Sequence, residues 1–245
     1  MTWREQLDAD GYTFLRNVFS PETVAEALAE WVEVTRANAA DDAVLGGESG
    51  PAYGARNLLE LWPRVTELVR TPAVAEALCG VLGRGVGVVR VLYFDKPPGH
   101  SWALPWHKDY SLAVREHRPS AVFTKPTVKT GVPHVVAPKE VLDRMLTVRV
   151  HLDDATPENG PLRVIPGSHR AYHQKDDPPR EAVTLHCRAG DVLLMRPLVT
   201  HASGHSKTDA GLHRRIVHLE CADDAELADG YAWKWFFKVG HSLRE

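Results

Sequence analysis

Apolar and polar positions change rhythm about a third of the way along the chain. Val24, Leu28, Trp31 and Val32 recur at near-helical spacing, and Ser20-Pro21-Glu22 ahead of them offers an N-cap followed by proline at the first helical position. The pattern predicts a helix to about Ala39, its apolar stripe facing the core. Thr71-Pro72 opens a second helix through Leu82, with Gly83 as its stop signal. Before both, Gly11 to Phe19 alternates like a first strand. Beyond residue 85, short apolar runs between turn residues predict strands near 87–95, 146–153, 161–165, 182–187, 191–195 and 214–221. Helices packed on an antiparallel barrel fit this order, with a helical part of about 1–84 and a β core of about 85–221.

Three segments stand outside that rhythm. Residues 111–145 carry Arg115, His117, Arg118, Lys125, Lys129, His134 and Lys139 against Glu116, Glu140 and Asp143, and four prolines oppose regular structure. An inserted cationic loop is expected, either a lid over an anionic substrate or a solvated surface segment. In Glu158 to His169, Asn159-Gly160 reads as a hairpin turn and Pro166-Gly167-Ser168 as a strand breaker, leaving His169 a structural or surface role. Tyr231-Ala-Trp-Lys-Trp-Phe-Phe237 is expected to pack on the barrel, with a pocket rim or dimer contact as alternatives.

Composition narrows the function. With 245 residues, 44% apolar and 25% charged, the chain can bury one substantial core, and one domain is expected. A formal charge of −3 gives no basic field for nucleic acid, so a small-molecule substrate is the easier partner. Cys79, Cys187 and Cys221 are too scattered for a disulfide framework or a cysteine zinc site. With no signal-peptide core behind Met1 and no run of eighteen apolar residues, a cytoplasmic protein without membrane spans is expected. Oligomeric state is not legible.

The chemistry starts at His107-Lys108-Asp109. On extended backbone, side chains two apart share a face, so an imidazole nitrogen and a carboxylate oxygen lie side by side. A second histidine would complete the two-histidine, one-carboxylate set that holds Fe(II) and leaves positions open for co-substrate and O2. The pair alone says little, because 13 histidines and 32 acids give about two chance matches, and His151-Leu-Asp153 and His218-Leu-Glu220 share the spacing. Context favours His107, which follows the breaker-rich Lys96-Pro-Pro-Gly99 and Trp102-Ala-Leu-Pro-Trp106. His201, just after the buried run Val192 to Met195 and Pro197, is the candidate second histidine. Arg214 and Arg215 open the run that follows, where a guanidinium can clamp a carboxylate through two parallel hydrogen bonds. Arg149, inside an apolar strand, must snorkel outward or meet an anion, and Lys96 beside two prolines is a further pocket candidate.

Four stretches together resemble the phytanoyl-CoA dioxygenase family of iron(II)- and 2-oxoglutarate-dependent oxygenases: Lys96-Pro-Pro-Gly99 before Trp106-His-Lys-Asp109; Glu158 to His169; Gly190-Asp-Val-Leu-Leu194; and His201-Ala-Ser-Gly204 followed by Arg214. The resemblance implies a mainly β fold with flanking helices, a double-stranded β-helix or jelly-roll, cupin-like barrel. It implies iron held by His107, Asp109 and His201, with 2-oxoglutarate and O2 as co-substrates and hydroxylation of an unactivated C–H bond of a small, anionic or neutral substrate. It also implies that an arginine soon after His201 holds the far carboxylate of 2-oxoglutarate. Arg214 is preferred to Arg215, because with Arg214 inward Arg215, Val217, Leu219 and Cys221 form an outer face suited to pack under helices. The alternatives are a cupin-like metal enzyme without a keto acid and a non-catalytic ligand-binding barrel, neither of which needs that guanidinium.

Overall fold

The computed structural model describes residues 1–46, 52–207, 211–223 and 226–240. Helix α1 (Trp3–Asp10) has no counterpart among the sequence expectations, yet its signal stands in the sequence as a reciprocal capping box. Thr2 Oγ1 accepts from the Glu5 N–H at 3.2 Å while the Glu5 carboxylate accepts from the Thr2 N–H at 2.7 Å. Strand β1 (Tyr12–Leu15) is shorter than the alternation from 11 to 19 suggested. Helix α2 (Pro21–Ala37) starts at the expected Ser20 cap. Short strands β2 (Val44–Leu45) and β3 (Gly54–Ala55) follow, then single turns α3 (Leu58–Leu61) and α4 (Glu67–Arg70). Helix α5 (Pro72–Leu82) ends at Gly83, whose φ of 83° a side chain would resist.

The rest is strand-rich: β4 (Gly87–Phe94), β5 (Leu104–His107), β6 (Ser111–Ala113), β7 (Thr124–Lys129), β8 (Val132–Val136), the turn α6 (Lys139–Leu142), β9 (Met145–His151), β10 (Leu162–Val164), β11 (Val183–Leu185), β12 (Val192–Met195), β13 (His201–Ser203), β14 (Ile216–Ala222) and β15 (Phe237–Lys238). The larger sheet has the order β1-β12-β9-β14-β4-β3-β2, with β15 paired to β4, and the smaller has the order β11-β10-β13-β5. Their pairings are antiparallel, and together they form the jelly roll, with α2, α3, α4 and α5 packed in one cluster against the larger sheet.

The larger sheet separates its two faces strictly. Val91, Tyr93, Val148, Val150, Val217 and Leu219 pack in one cluster with Trp31 of α2, Leu58 of α3 and Leu78 of α5. Trp31 stacks on Tyr93 with ring centroids 4.1 Å apart. The opposite face carries Arg90, Arg149, His151, His218 and Glu220, all buried. Period-two alternation produces this division, so burying one face under helices commits every second residue to the barrel interior.

Residues 111–145 are not the irregular loop that their prolines suggested. They form a third antiparallel sheet, β6-β8-β7, followed by α6. Pro126 sits on the edge strand β7 within a register shift between Thr124 and Thr127, where no ladder hydrogen bond needs its missing N–H. Leu112, Val114, Phe123, Val135 and Leu142 bury together with Tyr231 and Trp233. The first part of the aromatic C-terminal segment therefore packs on this sheet, where the Tyr231 hydroxyl donates to the Arg118 carbonyl at 2.6 Å, while Trp235 joins the helix-side cluster and Phe237 pairs with β4 of the barrel.

Candidate metal centre

Two neighbouring strands of the smaller sheet bring the histidines together. In the β5–β13 register His107 lies directly opposite His201, with ring centroids 4.1 Å apart. Two residues beyond His107, the Asp109 N–H bonds the Pro197 carbonyl at 2.9 Å, which ties the ligand-bearing turn to the segment entering β13. Asp109 Oδ1 is 3.8 Å from His107 Nε2, and its Oδ2 is 3.8 Å from His201 Nε2. One donor atom from each of the three residues lies within 4.8 Å of the others. This is the spacing of atoms that share an ion rather than bond each other, since 3.8 Å exceeds any nitrogen–oxygen hydrogen bond.

The surroundings prepare each donor. His107 Nδ1 faces the Pro105 carbonyl at 2.8 Å and His201 Nδ1 faces the Val199 carbonyl at 2.9 Å. A carbonyl can only accept, so each Nδ1 carries the proton and each Nε2 directs a lone pair into the cluster. Burial, joined by repulsion from His107 and opposed by Asp109, pushes His201 down to about 4, so it is neutral and able to ligate at physiological pH. Burial alone would raise the Asp109 carboxyl, but the fields of His201, His218, His107 and Arg90 outweigh it and hold the group below its ordinary value. Asp109 Oδ2 is nonetheless buried without a hydrogen-bond partner. A buried, ionised, orphaned carboxylate oxygen between two imidazole lone pairs fits a divalent cation. His201 is almost wholly buried, whereas the side chains of His107 and Asp109 are 31% and 24% exposed, so the cluster opens on their side.

Lys108, between the two ligands, faces the other way, and sequence reasoning missed it. Its ammonium is completely buried, donates to the carbonyls of Ser168, Ala171 and Leu198 at 2.7 to 2.9 Å, and ion-pairs with Asp177 at 2.7 Å. Alternation contained the signal: a residue between two ligands on extended backbone must point into the opposite wall. Lys108 thereby fixes the position of Asp109 from behind.

Three further buried cations have no carboxylate within hydrogen-bonding reach among the described residues. Arg214 is 2% exposed, donates to the Gly160 carbonyl at 2.9 Å and leaves its Nε without a partner. Burial and the repulsion of Arg149 push it down to about 9. Arg149 bonds His218 Nδ1 at 3.1 Å, and its Nε is also orphaned. Lys96, wholly buried, reaches Ser203 Oγ at 3.1 Å and the Gly204 carbonyl, and lies over the Trp102 ring. Burial first, then Arg214 and Arg149, lower it to about 7. Buried charge of one sign without counter-charge is expensive, which fits an anion completing this pocket. Gly160, at φ 64°, forms part of the wall; a Cβ there would overlap the Gly204 carbonyl oxygen and crowd Lys96.

The remaining candidates go elsewhere. Arg215 faces away and holds Asp153 in a bidentate pair at 2.7 and 2.6 Å, so it does not join Arg214 as a carboxylate clamp. That same pair occupies the acid of the His151-Leu-Asp153 motif, while His151 contacts Cys187 Sγ at 3.1 Å. Within the motif His218-Leu-Glu220, Glu220 is bound in a buried ion pair with Arg90. Neither motif gathers three donors; among the described residues only His107, Asp109 and His201 do so.

Two histidines and one carboxylate thus converge on the smaller sheet of a jelly roll, a donor set whose chemistry suits ferrous iron. The chain belongs to the phytanoyl-CoA dioxygenase family, whose PhyH profile matches residues 7–216. It is 30% identical over 175 residues to the ectoine dioxygenase of Bordetella parapertussis, an alignment covering 69% of this chain and 49% of that protein. It is 33% identical over 104 residues to the L-proline trans-4-hydroxylase of Streptomyces griseoviridis, covering 42% and 31%. The crystal structure of EctD from S. alaskensis with bound Fe shares its fold, with TM-score 0.68 and 21% identity across 91% of this chain and 76% of that one. The chain spans about half the length of the curated dioxygenases it matches.

Proposed function

We propose that this chain is an iron(II)- and 2-oxoglutarate-dependent oxygenase that hydroxylates an unactivated C–H bond of a small organic substrate. The observation carrying this reading is the pairing of two incomplete sites: three convergent donors around an orphaned Asp109 oxygen, and a buried Arg214 whose guanidinium meets no carboxylate among the described residues. Family membership supports it, as do the names of the relatives, a dioxygenase and a hydroxylase, and the EctD structure with 2-oxoglutarate and 5-hydroxyectoine.

In this reading His107, Asp109 and His201 hold Fe(II). Arg214 binds the far carboxylate of 2-oxoglutarate through charge-assisted hydrogen bonds, with Lys96 and Arg149 adding positive field. Bound there, iron, 2-oxoglutarate and O2 supply the oxidative decarboxylation to succinate and CO2 that drives C–H hydroxylation. The protein's own share is orientation and exclusion of water. Pro105 and Val199 carbonyls fix the imidazole tautomers, the Pro197 carbonyl holds the Asp109 N–H, Lys108 anchors the turn from behind, and the buried walls keep the cationic pocket dry enough for its charges to act strongly. A metal enzyme without a keto acid, or a non-catalytic barrel, would leave the three buried cations unexplained.

The test is the iron-dependent formation of succinate from 2-oxoglutarate under air. Purified protein is expected to form it slowly without added substrate, and His201→Ala to reduce it to the level of free Fe(II). Equal succinate formation by both proteins, or none by the wild type, would overturn the reading.

A further inference from the structure

A second group of cations, Arg56 and Lys129, lies within electrostatic reach of Arg90, and Lys129 also of Asp109, and the proposed reaction leaves it without a role. Arg56 immediately follows β3, whose register with β4 places Gly54 opposite Phe94 and Ala55 opposite Tyr93. Continued by one residue, that register sets Arg56 opposite Leu92 and gives it the inward parity of Phe94, Leu92 and Arg90. Lys129 ends β7 and donates to Ser111 Oγ at 3.1 Å, which fixes its ammonium two residues along the chain from the ligand Asp109. Asn57, adjacent to Arg56, donates from Nδ2 to the carbonyl of Thr130, adjacent to Lys129, at 3.2 Å. One side-chain hydrogen bond thus joins the segment after β3 to the β7–β8 turn and brings the chain positions of the two cations together.

Neither cation has an acidic partner within hydrogen-bonding reach among the described residues, and the nearby acid Glu220 is occupied by Arg90. Burial and the charge of Arg90 lower Arg56, and burial followed by Arg90 and Arg56 lowers Lys129. Both are half-buried, so their charges are partly withdrawn from water without being sealed from it.

We propose that Arg56 and Lys129 form an oxyanion clamp that holds a carboxylate or phosphate group of the substrate beside the metal cluster. The third sheet, residues 111–136, is then the specificity element, because it supplies Lys129 and positions it through Ser111. This inference rests on the oxygenase reading for the identity of the reacting centre, while the clamp itself can be tested separately.

Acetate and methyl phosphate are the probes, titrated calorimetrically into protein loaded anaerobically with Fe(II) and saturating 2-oxoglutarate, so that the Arg214 pocket is already filled. Saturable binding is expected, weakened at least tenfold in Arg56→Gln and in Lys129→Gln and unchanged in Arg36→Gln on the distant end of α2. Tighter binding of acetate assigns a carboxylate substrate, and tighter binding of methyl phosphate a phosphorylated one. Absence of probe binding to the wild type, or unchanged affinity in the Arg56→Gln/Lys129→Gln double variant, would overturn the clamp. The visible band of the iron–2-oxoglutarate complex, recorded on the same samples, separates the two readings. Its absence from the wild type would sink the oxygenase reading, and the titration repeated on metal-free protein would still decide the clamp.

Discussion

The two faces of β14 and its entry segment differ in nearly every physical respect although their residues alternate along one backbone. Val217, Leu219 and Cys221 point to the helices and fill an apolar cluster. Arg214, His218 and Glu220 point to the barrel interior, where they are equally buried and polar. The apolar face stabilises the fold by removing surface from water. The polar face can only weaken it unless every charge finds a partner, and among the described residues Arg214 meets a carbonyl but no carboxylate, its Nε staying unbonded. Stability and chemistry are therefore separated by sidedness rather than by region, and substitutions one residue apart should fail in different ways.

The largest effect belongs to the donor set. His107→Ala, Asp109→Ala or His201→Ala should each lower iron affinity by more than about 100-fold, since loss of even an outer-shell partner costs about 10- to 100-fold. Anaerobic iron titration measures this, and circular dichroism should show the fold retained. On the apolar face, Leu219→Ala should cost about 2–5 kcal/mol in denaturant unfolding while leaving iron uptake per folded molecule unchanged. On the polar face, Arg214→Ala should do the reverse. It removes charge-assisted hydrogen bonds of about 1.5–3 kcal/mol, weakening 2-oxoglutarate binding about 10- to 100-fold with little loss of stability, as equilibrium binding would show.

A smaller effect comes from Lys96, lowered to about 7 by burial and its cationic neighbours. A bound carboxylate favours the protonated form, so 2-oxoglutarate binding should take up a proton above that pH. Affinity should then fall as pH rises beyond about 7, by up to about tenfold per pH unit, and Lys96→Met should flatten the profile. The smallest effect on ligand binding is expected for Arg215→Ala. Its bidentate, mostly buried pair with Asp153 acts on stability rather than on the pocket, and 2-oxoglutarate affinity should not change.

Sidedness also explains what could be read from the sequence. Long elements with caps or strict alternation, α2, α5, β4, β9 and β14, declared themselves, because their signals are local. The same alternation argument separated Arg214 from Arg215. The two short strands that bear the histidines, β5 and β13, carry no such pattern, being defined by their register with each other across ninety residues of chain. Prolines misled over residues 111–145, since an edge strand with a register shift tolerates what a central strand would not. Lys108 was passed over because a lysine beside a ligand looks like a surface charge until the carbonyls of Ser168, Ala171 and Leu198 are seen around it.

Most depends on whether His107, Asp109 and His201 grip one ferrous ion with 2-oxoglutarate alongside. The direct measurement is anaerobic addition of Fe(II) and 2-oxoglutarate, following the weak visible charge-transfer band. One equivalent of iron per chain should saturate the band in the wild type and in Arg215→Ala, and the band should be absent from His107→Ala and Asp109→Ala. A band of undiminished intensity in both ligand variants would contradict the assignment.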